Sequence, residues 1–86
     1  MGYQAGYNNI TGQHNAFLGK EAGYNSTSDF NTYLGNNAGS LMTSGSQNTI
    51  LGRYDGNQGG LDIRTLSNRI VLSDGAGNPR HYVNDR

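Results

Sequence analysis

The chain contains no cysteine and no tryptophan, has one proline, and carries few charges on its 86 residues. Without cysteine, neither a disulfide nor a thiolate metal site can form. Six basic and six acidic residues cancel to a formal net charge of zero, and no basic run is present. Nucleic acid, which is bound mainly through clustered positive charge, is therefore not expected as a partner.

Long apolar segments are also missing. No stretch approaches the roughly 20 apolar residues of a membrane span, so membrane insertion is not expected. The start, Met1-Gly2-Tyr3-Gln4, has neither the basic nor the apolar region of a signal peptide. Hydrophobic residues make up 33% of the chain, too few for a large core of its own. Disordered chains usually have high net charge and few aromatics, whereas this neutral chain has six Tyr and two Phe, so we expect it to be ordered.

Glycine, asparagine and repetition dominate what is present. The signature Asn-Ala-Phe-Leu-Gly at residues 15–19 returns as Asn-Thr-Tyr-Leu-Gly at 31–35 and as Asn-Thr-Ile-Leu-Gly at 48–52. Two glycine series advance along the chain by the same succession of steps: Gly2, Gly19, Gly35 and Gly52, and Gly6, Gly23, Gly39 and Gly56. A short, nearly constant period is typical of stacked arrays, in which each unit covers the apolar face of its neighbour.

The repeat predicts strands and turns. Gly, Asn, Ser and Thr disfavour helix, and no apolar stripe of period 3.6 persists. The short apolar pieces are rich in strand formers and are bounded by Gly and Asn. A unit of about 16 or 17 residues has room for two strands of about four residues and two turns. We therefore expect an all-β fold in which residues 1–58 form about four stacked coils of a β-solenoid.

Each recurring residue type has a structural interpretation. Adjacent residues of a strand face opposite ways, so the repeat has two apolar columns, both of which need cover. One face can point into the chain's own coil, and the other requires further copies of the chain, since so few apolar side chains cannot offset the entropy of ordering each coil. The predicted core residues are Phe17, Tyr33 and Ile50 in one column, Leu18, Leu34 and Leu51 in the other, and Ala22 and Ala38 at crowded inner positions.

The regular spacing also predicts backbone roles. Gly19, Gly35 and Gly52 should close each strand where positive φ or close approach is needed. Asn15, Asn31 and Asn48 should stack as a ladder, each side-chain amide bonding those above and below.

The pattern breaks near residues 56–60. Residues 61–66, 68–73 and 80–83 read as three short strands, with a turn cluster at 74–79. Three strands are too few to fold alone, so residues 59–86 are expected to intertwine with other copies as a C-terminal trimerisation segment. Met1 occupies the repeat position of Leu18 and Arg86 follows no closing element, which favours a piece of a longer fibrous protein.

The repeat resembles that of a known group of proteins. Asn-Thr-(apolar)-Leu-Gly followed by Ala-Gly-Tyr-Asn resembles the repeat near the C-terminal regions of bacteriophage tail fibres and tailspikes, and residues 68–80 resemble the segment preceding an endosialidase-type intramolecular chaperone. The repeat is also similar to the head repeats of trimeric autotransporter adhesins. The resemblance implies a homotrimer around a threefold axis, a triple-stranded β-helix fibre, and a location in the virion or, alternatively, on a bacterial cell surface. No chaperone domain is present in the sequence, so self-cleavage does not carry over.

No motif predicts catalysis or a cofactor. The carboxylates are not paired by the repeat register, as a glycosidase would require, and the two histidines, His14 and His81, form no closely spaced metal-binding pair. Tyr7 and Tyr24 occupy equivalent positions and either pack on the outer wall or form a sugar-stacking surface. We expect a non-enzymatic trimeric shaft that serves host attachment; the alternative is an adhesin that binds a bacterial surface polysaccharide or receptor.

Overall fold

A computed structural model describes residues 2–9 and 12–84, and these residues are all-β, with strands and turns and no helix. No helix capable of crossing a membrane is found in them. The strands are β1 (Ala16–Leu18), β2 (Thr32–Leu34), β3 (Thr49–Leu51), β4 (Asn57–Gln58), β5 (Leu61–Asp62), β6 (Arg69–Ser73) and β7 (Pro79–Asn84). The first three coincide with the apolar pieces of the repeat, and each is three residues long, slightly shorter than predicted.

The repeat signature forms the main sheet. Its strand order is β1-β2-β3-β6-β7, with parallel pairing up to β6 and antiparallel pairing between β6 and β7. The parallel pairs keep one register, in which Phe17 lies beside Tyr33, Tyr33 beside Ile50, and Ile50 beside Val71. Each occurrence of the signature therefore pairs with the next, and β4 and β5 form a separate antiparallel pair.

Backbone hydrogen bonds between successive repeats continue outside the strands. The Gly6 N–H donates to the Ala22 carbonyl at 2.8 Å, and the Gly23 N–H donates to the Ala38 carbonyl at 2.9 Å. Directly after the strands, the Gly35 N–H donates to the Leu18 carbonyl at 2.8 Å. Turn segments as well as strands therefore lie beside their equivalents in the next repeat, which satisfies their backbone groups.

One of the two predicted apolar columns forms the core. Tyr33, Ile50 and Val71 are buried on the inner face of the sheet, and the Phe17 ring stacks on the Tyr33 ring with centroids 5.1 Å apart. The core also contains Ala22, Ala38, Met42, Tyr54 and Ile63. Burial raises the pKa of the Tyr33 phenol above its ordinary range.

The second predicted column lies outside the core of the single chain. Leu18, Leu34 and Leu51 are substantially exposed, because strand alternation turns each leucine away from its buried neighbour. One chain taken alone therefore does not bury these three leucines. The expectation that other copies cover them stays a prediction.

The predicted close approach at the strand ends is present in the structure. Gly19, Gly35 and Gly52 have φ of +128°, +136° and +106°. A Cβ atom on Gly35 would lie 2.9 Å from the carbonyl carbon of Gly52 and closer still to its oxygen. The backbones of successive repeats therefore touch at this corner, and only glycine fits.

The asparagine column is a ladder of a different kind from the one predicted. The Asn31 N–H donates to Asn15 Oδ1 at 2.8 Å, and the Asn48 N–H donates to Asn31 Oδ1 at 3.0 Å. Each Nδ2 then donates to a carbonyl, as Asn31 Nδ2 does to Gly45 at 3.1 Å. The amides bond backbone groups instead of one another, because the corner leaves these N–H and C=O groups without strand partners.

Replacing Asn31 with alanine should lower the free energy of unfolding by about 2 kcal/mol, because a buried N–H and a buried carbonyl lose their partners. Urea denaturation measures this change. Asn8→Ala is the matched control: the Asn8 amide donates to Asn25 Oδ1 at 2.9 Å on the exposed surface, where water can replace it. Equal losses for the two variants would contradict the buried ladder.

The C-terminal segment differs from the prediction in several places. The strand expected at 61–66 is only Leu61–Asp62, whereas those expected at 68–73 and 80–83 appear as Arg69–Ser73 and Pro79–Asn84. Both edges of β6 are paired within the chain, to β3 and β7. The expectation that residues 59–86 intertwine with other copies stays a prediction. The predicted position of Met1 and the chain end at Asp85 and Arg86 lie outside the described residues.

The fourth repeat also leaves the predicted register. The Gly39 N–H donates to the Tyr54 carbonyl and the Leu41 N–H to the Asp55 carbonyl, both at 2.8 Å. If Gly56 followed Gly39 in the series, the Gly39 N–H would donate to Asp55, the residue before Gly56, just as the Gly23 N–H donates to Ala38, so Gly56 is wrongly placed in the glycine series. The shift puts Tyr54 in the position of Ala38, where its ring fills the end of the core and its hydroxyl donates to the Leu61 carbonyl at 2.7 Å.

Candidate interaction surfaces

The outer side of the main sheet carries an apolar stripe, here called the leucine face: Leu18, Leu34, Leu51, Leu72 and Ile70. The four leucines are paired in register from β1 to β6, and Ile70 lies beside Thr49 in the adjacent column. Their side chains are 39–45% exposed, so a large part of each remains in contact with water. One leucine per strand at one height of the sheet gives a regular apolar ridge.

The strand residues paired next to the leucine face include no Asp, Glu, Lys or Arg. The column next to the leucines consists of Ala16, Thr32, Thr49 and Ile70. On β7, Val83 lies opposite Ile70 and His81 opposite Leu72. A contiguous exposed apolar surface is typical of an interaction site.

Leu72 and Ile70 were missed as site residues by the sequence analysis, although a signal was present. Ile70-Val71-Leu72 has the outer–inner–outer apolar order of Thr49-Ile50-Leu51, with which it pairs. The step from Leu51 to Leu72 is longer, however, than the steps from Leu18 to Leu34 and from Leu34 to Leu51, so the fixed period does not reach it.

A depression of about 600 Å³ lies at the β1 end of the sheet. Its lining residues are Ala5, Asn15, Ala16, Phe17, Leu18, Thr32, Tyr33 and Leu34. The walls are mostly apolar and carry no carboxylate, imidazole or amine. The depression therefore offers apolar contact and no acid–base group.

The two tyrosines considered for glycan binding lie against each other. The rings of Tyr7 and Tyr24 are stacked with centroids 4.9 Å apart and planes 10° apart, close to the spacing of about 4.8 Å between neighbouring strands. Each ring covers one face of the other, so the pair cannot present two coplanar faces to a sugar chain. Packing on the outer wall accounts for their equivalent positions.

In the part of the chain that the structure describes, the histidines and acidic residues do not gather into one site. His14 stacks on Phe30 with ring centroids 5.0 Å apart, far along the chain from His81 on β7. In the described part of the chain, no group of three or more His, Asp or Glu residues could hold a metal ion. These positions give no arrangement with which to begin an acid–base or metal mechanism.

The two most perturbed carboxylates have local partners. Asp62 and Arg64 form an exposed ion pair at 2.9 Å, and the hydrogen bonds from Arg64 lower the pKa of Asp62 to about 2. Asp74 accepts backbone N–H groups from Asn78 and Ala76 at 2.9 and 3.0 Å, which lowers its pKa. Both carboxylates thus fix turns and are held ionised, unlike a general acid.

Neither a protein-family model, nor a curated protein, nor a solved structure matches the chain.

Proposed function

We propose that this chain is a non-catalytic structural module, a β-solenoid whose stacked coils form part of the shaft of a homotrimeric fibre. The solenoid is supported by the in-register parallel pairing of the repeats and by the hydrogen bonds that join their turns. The resemblance to phage tail fibres and tailspikes favours a shaft that belongs to a virion and serves attachment to the host. A rigid stack of coils suits this role, because each added coil lengthens the rod without changing its cross-section.

The leucine face is the observation that carries the proposal. Burial of apolar surface is favourable by about 25 cal/mol per Å², and this ridge is the most regular apolar surface that the described residues leave in water. A second copy of the chain carries the same ridge with the same spacing. Copies lying side by side therefore bring leucine against leucine at every coil, which defines both the contact and its register.

The number three comes from the resemblance, and it gives the proposal its test. Sedimentation equilibrium distinguishes an assembly of three 9.2 kDa chains from a single chain or a pair. We expect three times the mass of one chain at micromolar chain concentration. A single-chain mass would overturn the association, and a stable dimer would overturn the trimeric shaft while leaving the leucine contact in place.

A further inference from the structure

The tyrosine column stops after two rings. The Asn8 N–H donates to the Tyr24 carbonyl at 2.9 Å, and the Asn25 N–H donates to the Ser40 carbonyl at 3.3 Å. Tyr7, Tyr24 and Ser40 are therefore equivalent positions in three successive repeats. Because serine has no ring, the face of Tyr24 directed away from Tyr7 borders an open depression of about 170 Å³.

The depression combines this aromatic face with free polar groups. Its lining residues are Glu21, Tyr24, Asn25, Ser40 and Leu41. Within the described residues, the Glu21 carboxylate, the Ser40 hydroxyl and the Tyr24 hydroxyl make no hydrogen bond. The Tyr24 ring therefore lines the same depression as three groups that can hydrogen-bond to the hydroxyls of a ligand, one of which is the hydroxyl of that ring.

The backbone holds this arrangement in place. Glu21 has φ of +59°, and its N–H donates to the Tyr3 carbonyl at 2.7 Å. The Asn25 amide is fixed on both sides: Nδ2 donates to the Ser40 carbonyl at 3.0 Å, and Oδ1 accepts from Asn8 Nδ2 at 2.9 Å. A site whose walls are already ordered loses little entropy when a ligand binds.

A second depression of about 340 Å³ adjoins the first, since both are lined by Asn25 and Leu41. It adds Thr43, Thr65 and the Asp62–Arg64 ion pair to the lining. The two depressions together form a polar groove with one aromatic face at its end, here called the tyrosine groove.

We propose that the tyrosine groove binds neutral hexopyranose residues of an oligosaccharide, with one sugar ring stacked on Tyr24 in the place of the missing third ring. A pyranose has an apolar C–H face of about the size of a phenol ring, and its hydroxyls can donate to the Glu21 carboxylate. The same carboxylate repels anionic sugars. The ligand therefore uses the face of Tyr24 that the Tyr7 stack leaves open.

This binding goes beyond the proposed shaft and does not depend on it. A Cβ atom on Gly23 would lie 2.8 Å from the Phe17 ring, so the turn that carries Tyr24 packs over the inner side of β1. The leucine face is on the outer side of the same strands. The groove and the leucine face are thus on opposite walls, and copies joined through the leucines leave the groove open.

The test is a titration of the whole chain with the methyl glycosides of galactose, glucose and mannose, following the ring protons of Tyr24 by NMR. At least one neutral sugar should shift them saturably, with a Kd on the order of 1–10 mM. The methyl glycoside of sialic acid, an anionic sugar, should bind at least about tenfold more weakly because of Glu21. Absence of a saturable shift with every neutral sugar, or equal binding of the anionic one, would overturn the proposal.

A single substitution closes the site by filling it with a side chain. Ser40→Tyr restores the third ring of the column, and should weaken sugar binding at least about tenfold while keeping or raising the Tm. Ser44→Tyr is the control, because it places the same side chain at an exposed position outside the groove and should leave the Kd unchanged. Undiminished binding by Ser40→Tyr would overturn the groove, whatever mass the chain has in solution.

Discussion

Replacing Gly35 with alanine is expected to lower the free energy of unfolding by about 3 kcal/mol or more. The φ of +136° strains any side-chain-bearing residue, which costs about 1–3 kcal/mol. The added Cβ also falls 2.9 Å from the Gly52 carbonyl carbon, and overpacking of this kind costs a further 1–3 kcal/mol. The neighbouring backbone cannot retreat, since the Gly52 N–H is bonded to the Leu34 carbonyl at 2.9 Å.

Alanine substitutions at two other glycines distinguish the cost of a positive φ from the cost of the steric clash. Gly60 has φ of +82° but no described atom within 4 Å of an added Cβ, so Gly60→Ala should cost only about 1–2 kcal/mol. Gly75 has neither a positive φ nor a close neighbour, so Gly75→Ala should stay within about 0.5 kcal/mol of the original. Urea denaturation at one fixed chain concentration measures all three, because association shifts apparent stability. If Gly35→Ala costs no more than Gly60→Ala, successive repeats do not touch at this corner.

Replacing Leu34 with lysine is expected to weaken self-association at least about 100-fold. Leu34 lies on a central strand of the leucine face and is 41% exposed in the single chain, so one chain tolerates a lysine there. In the proposed assembly the same position would be enclosed, and several ammonium groups would be desolvated close together. Sedimentation equilibrium should then give the mass of one chain at a concentration where we expect the original chain to be trimeric.

Leu41→Lys is the matched control for this experiment. Leu41 is 39% exposed, close to the value for Leu34, but it lies in the tyrosine groove on the opposite wall. The mass of that variant should stay that of the original chain. Leu34→Ala, which removes apolar surface without adding charge, should give an intermediate dissociation constant. If Leu34→Lys and Leu41→Lys have the same mass, the leucine face is not where the copies meet.

The all-β class, the strand positions and the inner column could be predicted because they depend on short-range rules. Alternation assigns Phe17 and Leu18 to opposite faces, and the period places Tyr33 beside Phe17. The missed strand pairing, β3 with β6, joins segments more than one repeat apart in the sequence, because the β4–β5 pair is inserted between them. A search for a fixed period does not detect a repeat that an insertion has displaced, although the apolar triplet of that repeat is present in the sequence.

The candidate surfaces were predictable only in part. Leucines on the outer side of the strands follow from the sequence, and so does the equivalence of Tyr7, Tyr24 and Ser40. The stacking of Tyr7 on Tyr24, which removes the paired sugar platform and leaves one open face, required the positions of the rings. The left-handed backbone conformation at Phe30, with φ of +60°, could not be predicted from the sequence either, since aromatic residues rarely adopt it.

Chain periodicity alone was thus sufficient to determine which side chains share a column and which glycines lie at strand ends, since both follow from strand alternation and backbone sterics. The three-dimensional packing decided where each column stops: Tyr54 closes the alanine column, Val71 extends the inner column, and Ser40 leaves a gap beside Tyr24. The physical reason is the distance along the sequence over which each feature is determined. Alternation and φ are fixed by neighbouring atoms, whereas the end of a column depends on contacts between residues whose separation an insertion or a one-residue shift can change.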